Sequence, residues 1–369
     1  MASRLEGKSL LAIFKCCRVP VRVATHWPRL VGGRAVSWRI LLSDLQSAYR
    51  QLTQGSPCQL PPKTTSYQQW ALRLSEASAS LVSELTYWSS VVKGQSVLPR
   101  DHQLGANNVA SAANVSVTLS AEETRTLLVQ VPQVYHTQIN DLLLTALLLA
   151  FSEWTKAESL LIDLEGHGRE EIFNGVDLSR TVGWFTTIFP VRLVLPLGTK
   201  GMISTPDLGE AIKSVKEQLR QIPHRGLGYG VLRYLRPDPS LESPAEVSFN
   251  YLGQFDQTMG TGLIRGFAKE KSGSPHSSKA RRTHLLDING MVYEGELQVD
   301  WTYSRHIHQE TTIQRLAESF LEGLRKLIAH CQEPEVGGYT PSDFPDVKFS
   351  QEQLDQMMAK IALANMEED

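Results

Sequence analysis

At 369 residues the chain is long enough for two domains and a sizeable core, and 41% apolar with 21% charged residues is an ordinary soluble globular composition. A net charge of −2 gives no electrostatic case for nucleic acid or an anionic membrane, and no apolar run approaches the ~20 residues of a membrane span. The four cysteines, Cys16, Cys17, Cys58 and Cys331, have no Cys-x-x-Cys spacing and read as free thiols in a reducing cytoplasm.

Residues 1–35 stand apart as an atypical leader. They carry seven Lys/Arg and only Glu6 as an acid, a basic, acid-poor pattern that a transit segment shares but that an arbitrary leader explains as well. From 36 to 55, apolar residues at helical spacing end at Gly55, so a helix is expected, followed by a Pro-punctuated turn over 56–63. One long helix, or two, follows over 66–92. The small, polar, aperiodic stretch 101–114 reads as a connector between two lobes.

A short alternating strand then runs into Ser120, with Glu123 three residues on, the pattern of a capped helix start. Residues 137–155 are apolar nearly all round and predict a buried helix. The run "LLIDLEG" predicts a central strand, and 182–196 a further strand with Pro190 at a bulge or an edge. Helices are expected over about 207–222 and from "GYGVLRYL", strands over 245–255, and a strand pair within 284–304. An amphipathic helix fits 309–331, and the basic, Ser-rich loop 272–283 reads as a solvated tip. Strands alternating with helices make the class α/β, or α+β with a mixed sheet. There is no internal repeat, and the ten histidines show no metal-ligand spacing.

One stretch raises a chemical question. In "SLLIDLEGHGREE" (159–171) an apolar strand ends on a carboxylate, Glu165, and two glycines bracket His167. The missing Cβ atoms permit close approach and unusual backbone angles. A carboxylate at the mouth of an apolar element is a candidate for a raised pKa and for base chemistry. Other segments are also too polar or too glycine-rich for plain core: "SRTVGWFTTIFPV" (179–191), "RGLGYGVLRYL" (225–235), "SFNYLGQF" (248–255) and "INDLLLTALL" (139–148). Taken singly, each is ordinary turn or packing sequence.

Together and in this order, these segments resemble the motifs of epimerization domains of nonribosomal peptide synthetases, in the condensation-domain superfamily. The resemblance covers about 36–350, and "VSWRILLSDLQSAYRQL" and "LPPKTTSYQQWALRL" look like the segment after the family's active-site histidine motif. It implies a chloramphenicol acetyltransferase-like fold, with two α/β lobes and the active site between them. On that reading 36–105 is a helical remnant of the N-terminal lobe, 106–340 the C-terminal lobe, and 341–369 a linker with an amphipathic tail helix. The helix would place Phe349, Leu354, Met358 and Ile361 on one face and dock on its own lobe or on a partner.

The implied reaction inverts the α-carbon of an aminoacyl or peptidyl thioester held on the phosphopantetheine arm of a carrier domain. The domain would need no cofactor of its own, and its partners would be the carrier domain and neighbouring synthetase modules. By resemblance Glu165 is one of two proton carriers, and Asn250 and Tyr251 line the site, Tyr251 as a hydrogen-bond or proton donor. His167 would brace the loop beside them, Arg169 and Glu170 would form an ion pair or clamp, and Trp184, Phe185 and Phe189 would be core or tunnel wall. The alternatives are a peptide-bond-forming condensation domain, a non-catalytic module that captures a carrier domain and, weakest, a free-standing acyltransferase.

The sequence departs from the family just before Val36. A His-His-x-x-x-Asp-Gly motif belongs at 29–35, where "RLVGGRA" stands instead. Codons such as GTG GTG GAC GGG, read from the third base, give the Gly-Gly-Arg of 32–34, so an N-terminally truncated domain fused to a frame-shifted leader is the expectation. Such a chain would have little epimerase activity alone, and Glu165, opened to water, would return toward an ordinary pKa.

Overall fold

The computed structural model describes residues 35–93, 97–103, 105–196, 207–236, 238–254, 276–334, 336–347 and 349–368. The basic leader and the first part of the Ser-rich loop lie outside them. The helix α1, Ala35–Thr53, ends as its sequence indicates, with Gly55 at φ +73°. The region 66–92 is two helices, α2 (Tyr67–Ala77) and α3 (Leu85–Val92), separated by a 3-10 turn at Ser80–Glu84. The break falls in "SEASAS", where Ser80 Oγ donates to the Ala77 carbonyl at 2.8 Å; serine hydroxyls compete there with the regular helix bonds.

Six strands form one mixed sheet: β1 (Ala112–Leu119), β2 (Ser159–Gly166), β3 (Thr187–Val194), β4 (Val247–Gln254), β5 (Leu286–Tyr293) and β6 (Glu296–Ser304), in the order β1-β6-β5-β4-β2-β3. The β2–β4 and β4–β5 pairs are parallel and the others antiparallel. Burial alternates along β5 and β6, whereas the central β2 is buried at five successive positions. In β6, Leu297, Val299, Trp301 and Tyr303 are buried while Gln298, Asp300 and Thr302 face the other way. The buried face packs against α4 (Ala121–Val129), α5 (Ile139–Thr155), α6 (Leu208–Arg220) and α7 (Glu310–His330), and one apolar core joins sheet and helices. Glu294 and Gly295, at φ 52° and 79°, close the β5–β6 hairpin in the two-residue turn that right-twisted strands favour.

The helix α5 is buried along nearly its whole length, and its polar start is satisfied locally. Asp141 caps the Gln138 N–H at 2.7 Å and pairs with Arg220 at 2.7 Å. Three residues link α5 to β2, so the two run antiparallel and the N-terminus of α5 comes to the sheet end where β2 finishes. Pro190 lies in β3, the edge strand beside β2, where a missing N–H is tolerated.

One stretch differs from its sequence reading. Residues 182–186 are not strand, because side chains distant in sequence take their backbone groups. Ser37 Oγ donates to the Gly183 carbonyl at 2.8 Å, and the Tyr67 hydroxyl donates to the Trp184 carbonyl at 2.5 Å. The polar stretch before β1 is fastened rather than loose: His102 N–H donates to the Ile307 carbonyl, and Asn107 Nδ2 donates to the His284 carbonyl at 2.8 Å. In the basic loop the described residues 276–281 and Thr283 are mostly exposed, as a solvated tip is, and Arg282 is the exception: it is buried and bonds Asp287, Asn107 and the Thr302 carbonyl.

The C-terminal segment is held by the buried Lys216, whose ammonium donates to both Asp343 oxygens at 2.7 Å and to the Tyr135 carbonyl. Beyond it, α8 (Gln351–Glu368) docks on the same chain through the fully buried Leu354. Among the described residues no helix is long and apolar enough to cross a membrane. Cys58 and Cys331 are free thiols.

Candidate functional site

The parallel ladder between β2 and β4 ends at Leu164 and Phe249. Beyond that pair the strands splay, and at their carboxyl ends lies a cavity of about 180 Å³. Glu165, Gly166 and His167 enter it from β2, Asn250 and Tyr251 from β4, Asn140 from the first turn of α5, and Val36 and Ser37 from α1. Arg169, Gly183 and Phe185 close it from the loop after β2. The four residues singled out in the sequence, Glu165, His167, Asn250 and Tyr251, therefore share one cavity.

Glu165 is half-buried, and burial raises its carboxyl above the ordinary value of 4.5. Among the described residues its carboxylate has no hydrogen-bond or ion-pair partner. The raised value is the opposite of the expected relaxation toward an ordinary pKa: burial in the cavity that Phe185 and Tyr251 line with it desolvates the carboxyl. A weaker acid is a stronger base, so the group is suited to taking a proton.

Among the described residues, three buried polar atoms around the cavity have no hydrogen-bond partner: the Tyr251 hydroxyl, Asn140 Oδ1 and Thr187 Oγ1. Burial pushes the Tyr251 phenol up to about 12, with Arg39 opposing, so it stays protonated and able to donate. Asn250 shares the polar face of the sheet with Glu165; Tyr251, one residue on, packs from the core side over Gly290.

The two glycines around His167 answer the question their spacing raised. A Cβ on Gly166 would come within 2.8 Å of Thr187 Oγ1, and one on Gly168, at φ +65°, within 1.7 Å of the Phe185 carbonyl oxygen. The chain here turns too close to the next strand for any side chain. His167 braces that turn, as the sequence suggested: its Nδ1 accepts the Arg169 N–H at 3.0 Å and its Nε2 lies 3.5 Å from Glu170.

Arg169 and Glu170 are clamps, though not of one another. Arg169 donates to the carbonyls of Leu178 (2.6 Å) and Thr181 (2.7 Å) and to Ser37 Oγ (3.1 Å), with its guanidinium 4.1 Å from the Phe185 ring centre. Glu170 faces His167 and, at 3.7 Å, Arg225. Phe185 is cavity wall and Phe189 is core, while the side chain of Trp184 stands 47% exposed.

Asp163, two residues before Glu165 on the same face, anchors β2. It accepts from His284 Nε2 at 2.8 Å and from Ser243 Oγ at 2.7 Å. Burial alone would lower His284, but its bonds to Asp163 and Asp287 pull it up to about 9. Asp287, which burial would raise, is held down to about 2 by His284, Arg282 and Ser248.

Sequence reasoning did not single out Asn140 or Thr187. Asn140 had a visible signal, being, with the capping Asp141, one of two polar residues at the head of a helix whose middle is almost wholly apolar. Thr187 lay within the segment 179–191 already marked as unusual, but nothing there set it apart, since its place depends on lying opposite Gly166.

The profile of the condensation domain family matches residues 35–347. The chain is 47% identical over 335 residues to one of the proteins that make up the linear gramicidin synthase of Brevibacillus parabrevis, covering 88% of this chain and 4% of that protein. It is 49% identical over 332 residues to chondramide synthase cmdD of Chondromyces crocatus, covering 88% of this chain and 8% of that one. It thus spans a small part of these relatives. Among solved structures, the epimerization domain from the third module of tyrocidine synthetase B superposes with a TM-score of 0.72 at 38% identity, over 80% of this chain and 67% of that one.

Proposed function

The chain belongs to the condensation-domain family of nonribosomal peptide synthetases, and from that premise we propose that it acts on the α-carbon of an aminoacyl or peptidyl thioester, with Glu165 as the base. The observation that carries the reading is a carboxylate with no partner among the described residues, desolvated, at the carboxyl ends of two parallel strands. Removing a proton beside a thioester carbonyl needs a base within hydrogen-bond reach of the α-carbon and a donor for the oxygen that becomes an enolate. Glu165 fills the first role and the Tyr251 hydroxyl, unpartnered among the described residues, the second; Asn250 lines the cavity on the same face of the sheet as Glu165. Arg169 and Gly168 hold the turn that sets the position of Glu165. The likeness to an epimerization domain supports inversion as the outcome.

On this reading the substrate arrives on the phosphopantetheine arm of a carrier domain, and that carrier and neighbouring synthetase modules are the partners. The arm is part of the substrate, and the domain itself needs no cofactor. Inversion requires a second proton carrier on the opposite face of the α-carbon. The residues before Val36, 29–35, contain no histidine, so exchange at the α-carbon is expected to outrun inversion.

The test is to incubate the chain with a loaded carrier domain in deuterated water and score α-deuterium and D-enantiomer separately. We expect deuterium incorporation that Glu165→Gln abolishes. Carrier binding without exchange would favour a non-catalytic module, and peptide bond formation with an added acceptor would favour a condensation domain.

A further inference from the structure

Asn140 has no part in the proton transfer, yet it lines the same cavity as Glu165, and its side-chain oxygen is buried with no partner among the described residues. A buried acceptor left unpaired costs about 1–3 kcal/mol. The fold offers no relief, because the neighbouring Asp141 is already engaged by Arg220 and the Gln138 N–H. The side chain is not slack surface either: it sits in the first turn of a helix that packs against the sheet along its length. An acceptor held in this way is completed by a ligand that brings a donor.

On the reacting unit of an α-aminoacyl thioester, the carbonyl oxygen only accepts. The group one bond from the α-carbon that donates is the α-nitrogen. The nearest amide of the phosphopantetheine arm is five bonds from the α-carbon, beyond the sulfur and two methylenes. A cavity of about 180 Å³ has room for the reacting carbons but not for much of the arm as well. We infer that Asn140 Oδ1 accepts a hydrogen bond from the α-nitrogen of the substrate, and so selects aminoacyl and peptidyl groups that keep an N–H there. This rests on the reading of Glu165 as the base at the α-carbon. The three polar groups then divide the centre between them: Glu165 on the α-hydrogen, Tyr251 on the carbonyl oxygen and Asn140 on the nitrogen. A free ammonium and a secondary amide both satisfy Asn140. A proline or an N-methylated residue that is acylated on its nitrogen leaves the oxygen unpaired and is disfavoured.

Two stable probes test this. One is N-acetyl-alanyl pantetheine with a methylene in place of the thioester sulfur. The other is its O-acetyl-lactyl twin, in which oxygen replaces the α-N–H without added bulk. The wild-type chain is expected to bind the N–H probe about tenfold more tightly, the worth of one buried hydrogen bond, and Asn140→Leu to bind both alike. Equal wild-type affinities, or a tenfold preference that survives in Asn140→Leu, would overturn the inference while leaving the base reading standing. If neither probe binds the wild-type chain, the inference and the base reading fall together. Should Asn140→Leu not fold, the wild-type ratio alone decides.

Discussion

A carboxyl whose pKa is raised by folding opposes the folded state once it ionises, and this is the position of Glu165 above its folded pKa. The penalty grows as pH rises from the ordinary value of 4.5 to the raised one, and it is absent below 4.5. Glu165→Gln should therefore melt higher than wild type at pH 7.5 and equal to it near pH 4, while losing α-exchange; equal melting at both values would mean that the carboxylate is not desolvated. His284 works in the opposite sense. Its pKa of about 9 against an ordinary 6.5 gives stability fully present below about pH 6.5 and lost as pH rises through 9. Denaturant titrations from pH 6 to 10 should show that decline, and His284→Gln should flatten it. Glu165, Asn250 and Tyr251 were legible because each sits in an ordered motif. The His284 network was not: Asp163, Ser243 and the pair His284 and Asp287 come from three separate segments, and only the fold brings them together.

The turn after β2 owes its shape to contacts far along the chain. Arg169 satisfies two carbonyls of the following loop and reaches Ser37 in α1, so it fastens that helix to the cavity wall. Arg169→Ala should cost about 2–4 kcal/mol in a denaturant titration, and Arg169→Lys should recover only part, because an ammonium lacks the fork that reaches several acceptors. Gly168→Ala meets both a positive φ and the Phe185 carbonyl, and should cost at least about 2 kcal/mol. Strands and helices with a clean period were legible as such, including β2, β4, the β5–β6 hairpin and α7. Residues 182–186 and the stretch before β1 were not, since the partners of their backbone groups are side chains and carbonyls more than a hundred residues away.

Across the whole molecule one face of the sheet is dry and the other polar. The dry face, under α4 to α7, carries the core; the polar face carries Asp163, Glu165, Ser248, Asn250 and Asp287. The mixed class followed from alternating strands and helices, but the strand order did not, because crossovers are set by long-range packing that no local period encodes. The chain after α7 is held to this body by Lys216 and Asp343. Removing the buried ammonium with Lys216→Met should cost about 3 kcal/mol and loosen residues 336–347, seen as faster proteolysis there.

These scales meet in the ionisation of Glu165, which sheet, turn and cavity wall set together. The direct measurement is a carbon NMR titration of its side-chain carboxyl, assigned by comparison with Glu165→Gln, with and without the N-acetyl-alanyl methylene probe. A midpoint above 4.5 in the free chain, rising further when the probe excludes water from the cavity, is the result expected of a desolvated base facing the α-carbon. A midpoint at or below 4.5 that the probe does not move would contradict it.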